Sequence, residues 1–170
     1  MARKRSSTYG KRAGNNFERE VAKKIAAQFK LDPEDVFRTP SSGGMDKKKF
    51  KGDVTVLNRY FPLHIEAKFG YDFELQDIAK KKYIEDFVYQ AVSDEFAAGP
   101  HRKTPIVVIA KPYYDRYVII PIGFAAIRDP EIVTESLQRL SFFMLTPKYA
   151  VVLLDELALA VELGIIITYA

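Results

Sequence analysis

The residues of this 170-residue chain whose types and spacing suit chemistry are an aspartate, Asp53 in Gly52-Asp53-Val54, and further on a glutamate two places before a lysine, Glu66 and Lys68 in Ile65-Glu66-Ala67-Lys68. Two carboxylates a few ångströms apart make a site for Mg²⁺, which prefers oxygen ligands and keeps exchangeable waters that a phosphate can replace. A lysine beside them can orient or help deprotonate an attacking water and offset charge building on phosphorus. The chemistry such a set suits is metal-assisted hydrolysis of a phosphodiester. Taken alone, Asp followed by Glu-x-Lys is also common on solvated strand edges, where charges contribute little. The elements that carry these residues therefore decide between the two.

Asp53 to Leu57 and Leu63 to Lys68 are rich in β-branched or aliphatic residues and read as strands of a hairpin joined by Asn58 to Pro62. Strand side chains alternate faces, so Glu66 and Lys68 project from the same side, and the hairpin can bring Asp53 beside them. Val54, Val56, Leu63 and Ile65 assign both strands to the core. A core sheet does not gather Asp, Glu and Lys without pairing or metal binding. Upstream, Phe17, Val21, Ile25 and Phe29 recur every four residues and predict an amphipathic helix from about Asn15, with Asn15 or Asn16 as its cap. Glu18 lies beside that stripe, placed to lean over the sheet as a third carboxylate. Asp32-Pro33-Glu34 breaks the pattern, and a short strand through Val36 and Phe37 leads into a polar loop from Thr39 to Lys49.

Downstream, Lys80 to Phe96 predicts a helix stopped by Gly99-Pro100, and Pro105 to Ala110 and Tyr117 to Ile120 predict two more strands. Past Pro121, helices are expected over Glu131 to Leu140 and Lys148 to Leu163, the second opened by Thr146-Pro147 and closed by Gly164. That last helix is apolar nearly all round, so the core or a second subunit must cover it. The expected fold class is α/β, a central mixed β-sheet flanked by helices. Residues 1–13 read as a flexible basic arm and residues 14–170 as a single domain, in which 125–170 form a C-terminal extension of unclear role.

Lysine and arginine number 26 against 22 acidic residues, a formal net charge of +4. The excess is clustered, with Arg3, Lys4, Arg5, Lys11 and Arg12 at the start and Lys47, Lys48, Lys49 and Lys51 as a second group. Such clusters favour a polyanionic partner. Absence of cysteine excludes disulfides, thiolate zinc sites and cysteine nucleophiles, and fits an intracellular, cytoplasmic setting. No stretch has the uninterrupted apolar length of a membrane span, since the longest run is broken by Asp155, Glu156, Glu162 and Gly164. His64 shares a face with Glu66 and reads as a partly exposed strand histidine, a supporting role being the alternative. Gln90, on the predicted helix, either reaches the site or is a neutral surface residue.

The runs Gly14-Asn15-Asn16-Phe17-Glu18-Arg19-Glu20, Arg38-Thr39-Pro40-Ser41-Ser42-Gly43, Gly52-Asp53 and Ile65-Glu66-Ala67-Lys68 resemble, in order and spacing, the archaeal Holliday-junction resolvases of the PD-(D/E)XK nuclease superfamily. The resemblance covers roughly Lys11 to Ile122 and implies a restriction-endonuclease-like nuclease fold. It further implies a homodimer that binds branched DNA, namely four-way junctions, and makes paired symmetric nicks with Mg²⁺, for which Mn²⁺ can substitute. Glu18, Asp53 and Glu66 would hold metal directly or through water, Lys68 would assist the water nucleophile, and Gln90 would be accessory. Arg19 and Arg38 would contact phosphate, and Ser42 would sit in the loop that bears on the scissile strand. Arg3, Lys4, Arg5, Lys11, Arg12, Lys47, Lys48 and Lys49 would add affinity for the DNA backbone. The chain departs from the family pattern in two ways: Gly52 stands where a proline often precedes the aspartate, and nothing aligns from about Ala125 onward. The competing readings are another nuclease of the same fold, of nicking, repair or restriction type, and a DNA-binding module without catalysis.

Overall fold

The computed structural model describes residues 7–40, 52–97, 103–125 and 135–168. The four-residue apolar periodicity forms α1 (Ser7–Gln28), burying Phe17, Val21, Ala22, Ile25 and Ala26. This helix begins well before Asn15, a correction to the expected arm: Lys11 and Arg12 lie on exposed helical surface. Arg3, Lys4 and Arg5 lie outside the described residues. Nor do Asn15 and Asn16 cap the helix, since both lie within it; the Asn16 side chain accepts a hydrogen bond from Arg19 Nη1 at 3.1 Å.

Three antiparallel strands follow, β1 (Val36–Arg38), β2 (Val54–Val56) and β3 (Leu63–Phe69), with Val36 opposite Val56 and Val54 opposite Ile65. The chain then crosses through α2 (Lys82–Phe96) to β4 (Thr104–Ala110), which runs parallel to β3. β5 (Tyr117–Pro121) returns antiparallel to β4. Two later strands, β6 (Phe143–Leu145) and β7 (Tyr149–Leu153), complete a seven-stranded mixed sheet in the order β1-β2-β3-β4-β5-β7-β6.

The sheet separates two apolar layers. On one face α1 packs against Leu63, Ile65 and Ala67 of β3 together with Ile106, Val108, Val118 and Ile120. On the other, Ile84, Val88 and Ala91 of α2 pack against Val107, Ile109, Ile119 and Val151. Because the odd residues of β3 face α1, alternation turns His64, Glu66 and Lys68 to the α2 side. This α/β arrangement, a mixed sheet flanked by helices, is the expected fold class.

The C-terminal part differs from the expected pair of helices. Tyr149 to Leu153 is a strand paired on both sides, with β5 and with β6. A strand buried on both faces shows no polar alternation, so its sequence has no period to separate it from a buried helix. Thr146 opens no helix; its Oγ1 accepts the Tyr149 and Lys148 N–H groups at 2.9 and 3.3 Å and forms the β6–β7 turn. The α-helical part is α3 (Leu157–Glu162), entered through a single 3-10 turn at Leu154–Glu156. Gly164 does stop it, with φ +70, while the Ile165 N–H reaches back to the Ala160 carbonyl at 3.0 Å. Of the expected helix Glu131 to Leu140, residues 131–134 lie outside the described residues, 135–137 are helical, and 138–140 are not. No described helix is long and apolar enough to cross a membrane.

Since β7 bridges β5 and β6, deleting residues 146–170 is expected to abolish cooperative thermal unfolding by circular dichroism. An appendage would leave the melting transition in place.

Candidate active site

β2 and β3 pair at Val54 and Ile65 and then part. At the point of parting, the Asp53 N–H donates to the Ile65 carbonyl at 2.9 Å, and the Asp53 carbonyl accepts the Thr39 N–H at 2.9 Å. The divergence leaves the Ala67 N–H to another partner, and Asp53 Oδ2 accepts it at 2.9 Å. The separation depends on Gly52. Its φ is +76, and a Cβ there would come within 2.6 Å of the Ile65 carbonyl oxygen. Proline, confined to φ near −65°, cannot take this conformation, which accounts for the departure at this position.

Asp53 is thereby fixed against β3 beside the two charged side chains of that strand. Lys68 Nζ donates to Asp53 Oδ2 at 2.9 Å and to Glu66 Oε2 at 2.8 Å. One ammonium thus lies between two carboxylates. With hard oxygens converging on a positive charge, Asp53 and Glu66 fit a divalent metal ion. Burial, and then the Glu66 charge, push the Asp53 carboxyl up to about 6 despite Lys68 and the Ala67 N–H. Burial also opposes ionisation of Glu66, but His64 and Lys68 outweigh it and hold that carboxyl down near 2. Burial works against the charge on Lys68 too, yet Asp53 and Glu66 raise it further above lysine's ordinary range. In this state Lys68 is a hydrogen-bond donor and not a base.

His64 is 4 % exposed, which corrects the reading of a partly exposed strand residue. Its Nδ1 lies 3.1 Å from Glu95 Oε2, and its Nε2 stands 3.5 Å from Glu66 Oε1 without a formed hydrogen bond. Burial disfavours the charged ring, but Glu66 and Glu95 outweigh it and raise the imidazole to about 9. Glu95, buried in the last turn of α2, also accepts the Lys103 backbone N–H, and His64 and that N–H hold its carboxyl low against burial. Glu95 was not among the expected site residues. Its only signal in the sequence is an acidic side chain at a position that continues the Ile84, Val88, Ala91 stripe.

Other expected site residues stand elsewhere. Glu18 does not join Asp53 and Glu66: it accepts from Arg38 Nε at 2.5 Å, and Arg38 stands opposite Val54, whose side chain belongs to the α1 layer. Among the described residues no group of three histidine or carboxylate side chains is arranged to hold one ion. Gln90 is exposed, and its helix instead brings the Phe87 ring within 5.7 Å of Lys68 Nζ. Arg19 is exposed on α1. Ser42, Lys47, Lys48 and Lys49 lie outside the described residues.

The model of a family described as "Phage putative PDDEXK endonuclease" matches residues 9–145, a span that includes Asp53, Glu66 and Lys68. No curated protein and no solved structure matches the chain.

A carboxyl raised on folding stabilises the protein while protonated and ceases to do so as pH climbs through its folded pKa. Asp53→Asn should therefore make the metal-free protein more stable at pH 7.5, by on the order of 1 kcal/mol or about 2–4 °C in Tm. The gain should shrink as the pH falls from 6 towards 4. Thermal melts in EDTA across this range check it; an Asn variant less stable than wild type at pH 7.5 would show that Asp53 is not strained by its surroundings.

Proposed function

The chain belongs to the phage PDDEXK endonuclease family, and from that premise we propose that it is a metal-dependent DNA endonuclease whose cation, Mg²⁺ with Mn²⁺ as a substitute, is held by Asp53 and Glu66. The observation that carries this reading is the Lys68 ammonium bound between the two carboxylates at 2.9 and 2.8 Å. A divalent cation, when bound, supplies Lewis acidity to a phosphoryl oxygen and makes water more acidic. The chain's own residues do the rest. Asp53, anchored through the Ala67 N–H, and Glu66, buried at 3 % exposure, hold their oxygens in place before any ligand arrives. Lys68, beside these carboxylates, would be placed to orient the attacking water and to offset charge building on the phosphate oxygens. Phe87 beside it keeps bulk water from one flank of the ammonium.

Glu18 has a different part in this account. Paired with Arg38, it sets the guanidinium at the end of β1, where the polar loop toward Ser42 begins, in a position to meet a phosphate of the bound strand. Lys11, Arg12 and Arg19, exposed along α1, supply affinity for the DNA backbone that is independent of sequence and sensitive to salt.

For the substrate we infer a four-way junction cut symmetrically by a homodimer, a reading supported by the run of motifs from Gly14 to Lys68. Another nuclease of the same fold, of nicking, repair or restriction type, is the alternative, and the same site chemistry serves either. The intact set of Asp53, Glu66 and Lys68 argues against a binding module without catalysis.

Synthetic four-way junctions, matched duplex and splayed-arm DNA incubated with Mg²⁺ or EDTA separate these readings. Nicking should require metal and fall on the order of 10²–10³-fold in Glu66→Gln and in Lys68→Ala. Symmetric nicks confined to the junction support the resolvase. Equal cleavage of linear duplex retains the nuclease and removes the junction reading. Binding without metal-dependent cleavage of any substrate would overturn both.

A further inference from the structure

Two buried titratable side chains on the α2 side of the sheet, His64 and Glu95, do nothing in the mechanism above. Both are costly to place there. Glu95 is 5 % exposed in the last turn of a helix, where the helix dipole disfavours a negative charge. His64 gives up solvent on both nitrogens and gains one short contact, 3.1 Å to Glu95 Oε2. Its other nitrogen, Nε2, has no hydrogen-bond partner and is directed at Glu66 Oε1, 3.5 Å away. A buried polar atom left short of a partner is uncommon and asks for an explanation.

We propose that Glu95 and His64 form a brace that fixes the carboxylate of Glu66 for the incoming metal ion, with His64 as the positioning residue acting on Glu66 and Glu95 acting through His64. The inference rests on the reading that Asp53 and Glu66 hold the cation. The chain of contacts starts at the backbone: the Lys103 N–H donates to Glu95 Oε1, Glu95 Oε2 faces His64 Nδ1, and His64 Nε2 faces Glu66 Oε1. Glu66 Oε2 is meanwhile taken by Lys68. When a cation displaces the ammonium, Glu66 loses that contact, and the imidazole on Oε1 is what keeps the side chain from turning about its own bonds. Closing the 3.5 Å gap by a few tenths of an ångström completes a hydrogen bond there. Partners that orient a ligating group in this way are typically worth about 10–100-fold in metal affinity. Gly52 belongs to the same device, because a Cβ there would come within 3.3 Å of His64 Nε2.

The test is direct Mn²⁺ binding, by isothermal titration calorimetry and by loss of the free-ion electron paramagnetic resonance signal, on the full chain without DNA. Wild type should bind, and Glu66→Gln should not. His64→Gln and Glu95→Gln should each weaken binding about tenfold or more, and the two together should do little more than the worse one, since they break one brace. Where a single variant leaves a buried charge and does not fold, His64→Leu with Glu95→Leu removes both partners and keeps the fold by apolar packing. Weakened binding by that folded double variant supports the brace, as a purely structural role would leave Mn²⁺ affinity untouched. Folded variants that bind Mn²⁺ within twofold of wild type would overturn the inference while leaving the cation site standing. Absence of Glu66-dependent binding in the wild type would overturn both.

Discussion

Asp53, Glu66 and Lys68 are three charges held largely out of water on one face of a sheet, and they coexist because the ammonium contacts a carboxylate on each side at hydrogen-bond distance. Removing Lys68 leaves both carboxylates uncompensated in a medium where unpaired charge is expensive. The backbone exists in a particular shape to allow this. β2 leaves β3 after a single pairing, Gly52 turns with positive φ against the Ile65 carbonyl, and Asp53 closes the gap by accepting the Ala67 N–H. The rest of the sheet, apolar on both sides from β4 to β7, is a rigid support for that break in pairing.

The electrostatics give the site a definite bias. With His64 protonated, the carboxylates of Asp53, Glu66 and Glu95 face two cations, so negative charge is in excess. Asp53, with a share of one ammonium, is the carboxyl that retains its proton to higher pH; Glu66, flanked by His64 and Lys68, is ionised throughout. A divalent cation held as proposed would relieve that excess.

The meeting of Asp53, Glu66 and Lys68 was legible in the sequence because they sit on or beside short strands bounded by polar turns, with Glu66 and Lys68 two places apart and therefore on one face. The family resemblance added order and spacing, and the α/β nuclease fold follows both. What sequence could not give is which face a helix-borne residue turns to. Glu18 lies beside the apolar stripe of α1 and pairs with Arg38 on the α1 side, whereas Asp53, Glu66 and Lys68 look toward α2. Glu95 comes from α2, and its meeting with His64 is a tertiary contact without any local trace. The strand β7 was hidden for a different reason: with Tyr149, Ala150, Val151 and Val152 all buried, it has neither alternation nor helical period. The early start of α1 shows helical order imposed on a polar, basic segment whose composition alone suggests none.

The central claim is that Asp53 and Glu66 share one divalent cation in the place now held by the Lys68 ammonium. Crystals soaked in Mn²⁺ and measured at an energy where manganese scatters anomalously test it directly. The account predicts an anomalous peak at the carboxylates of Asp53 and Glu66. A peak ligated by Glu18, or none at the Asp53 and Glu66 pair when the site is saturated, would contradict it.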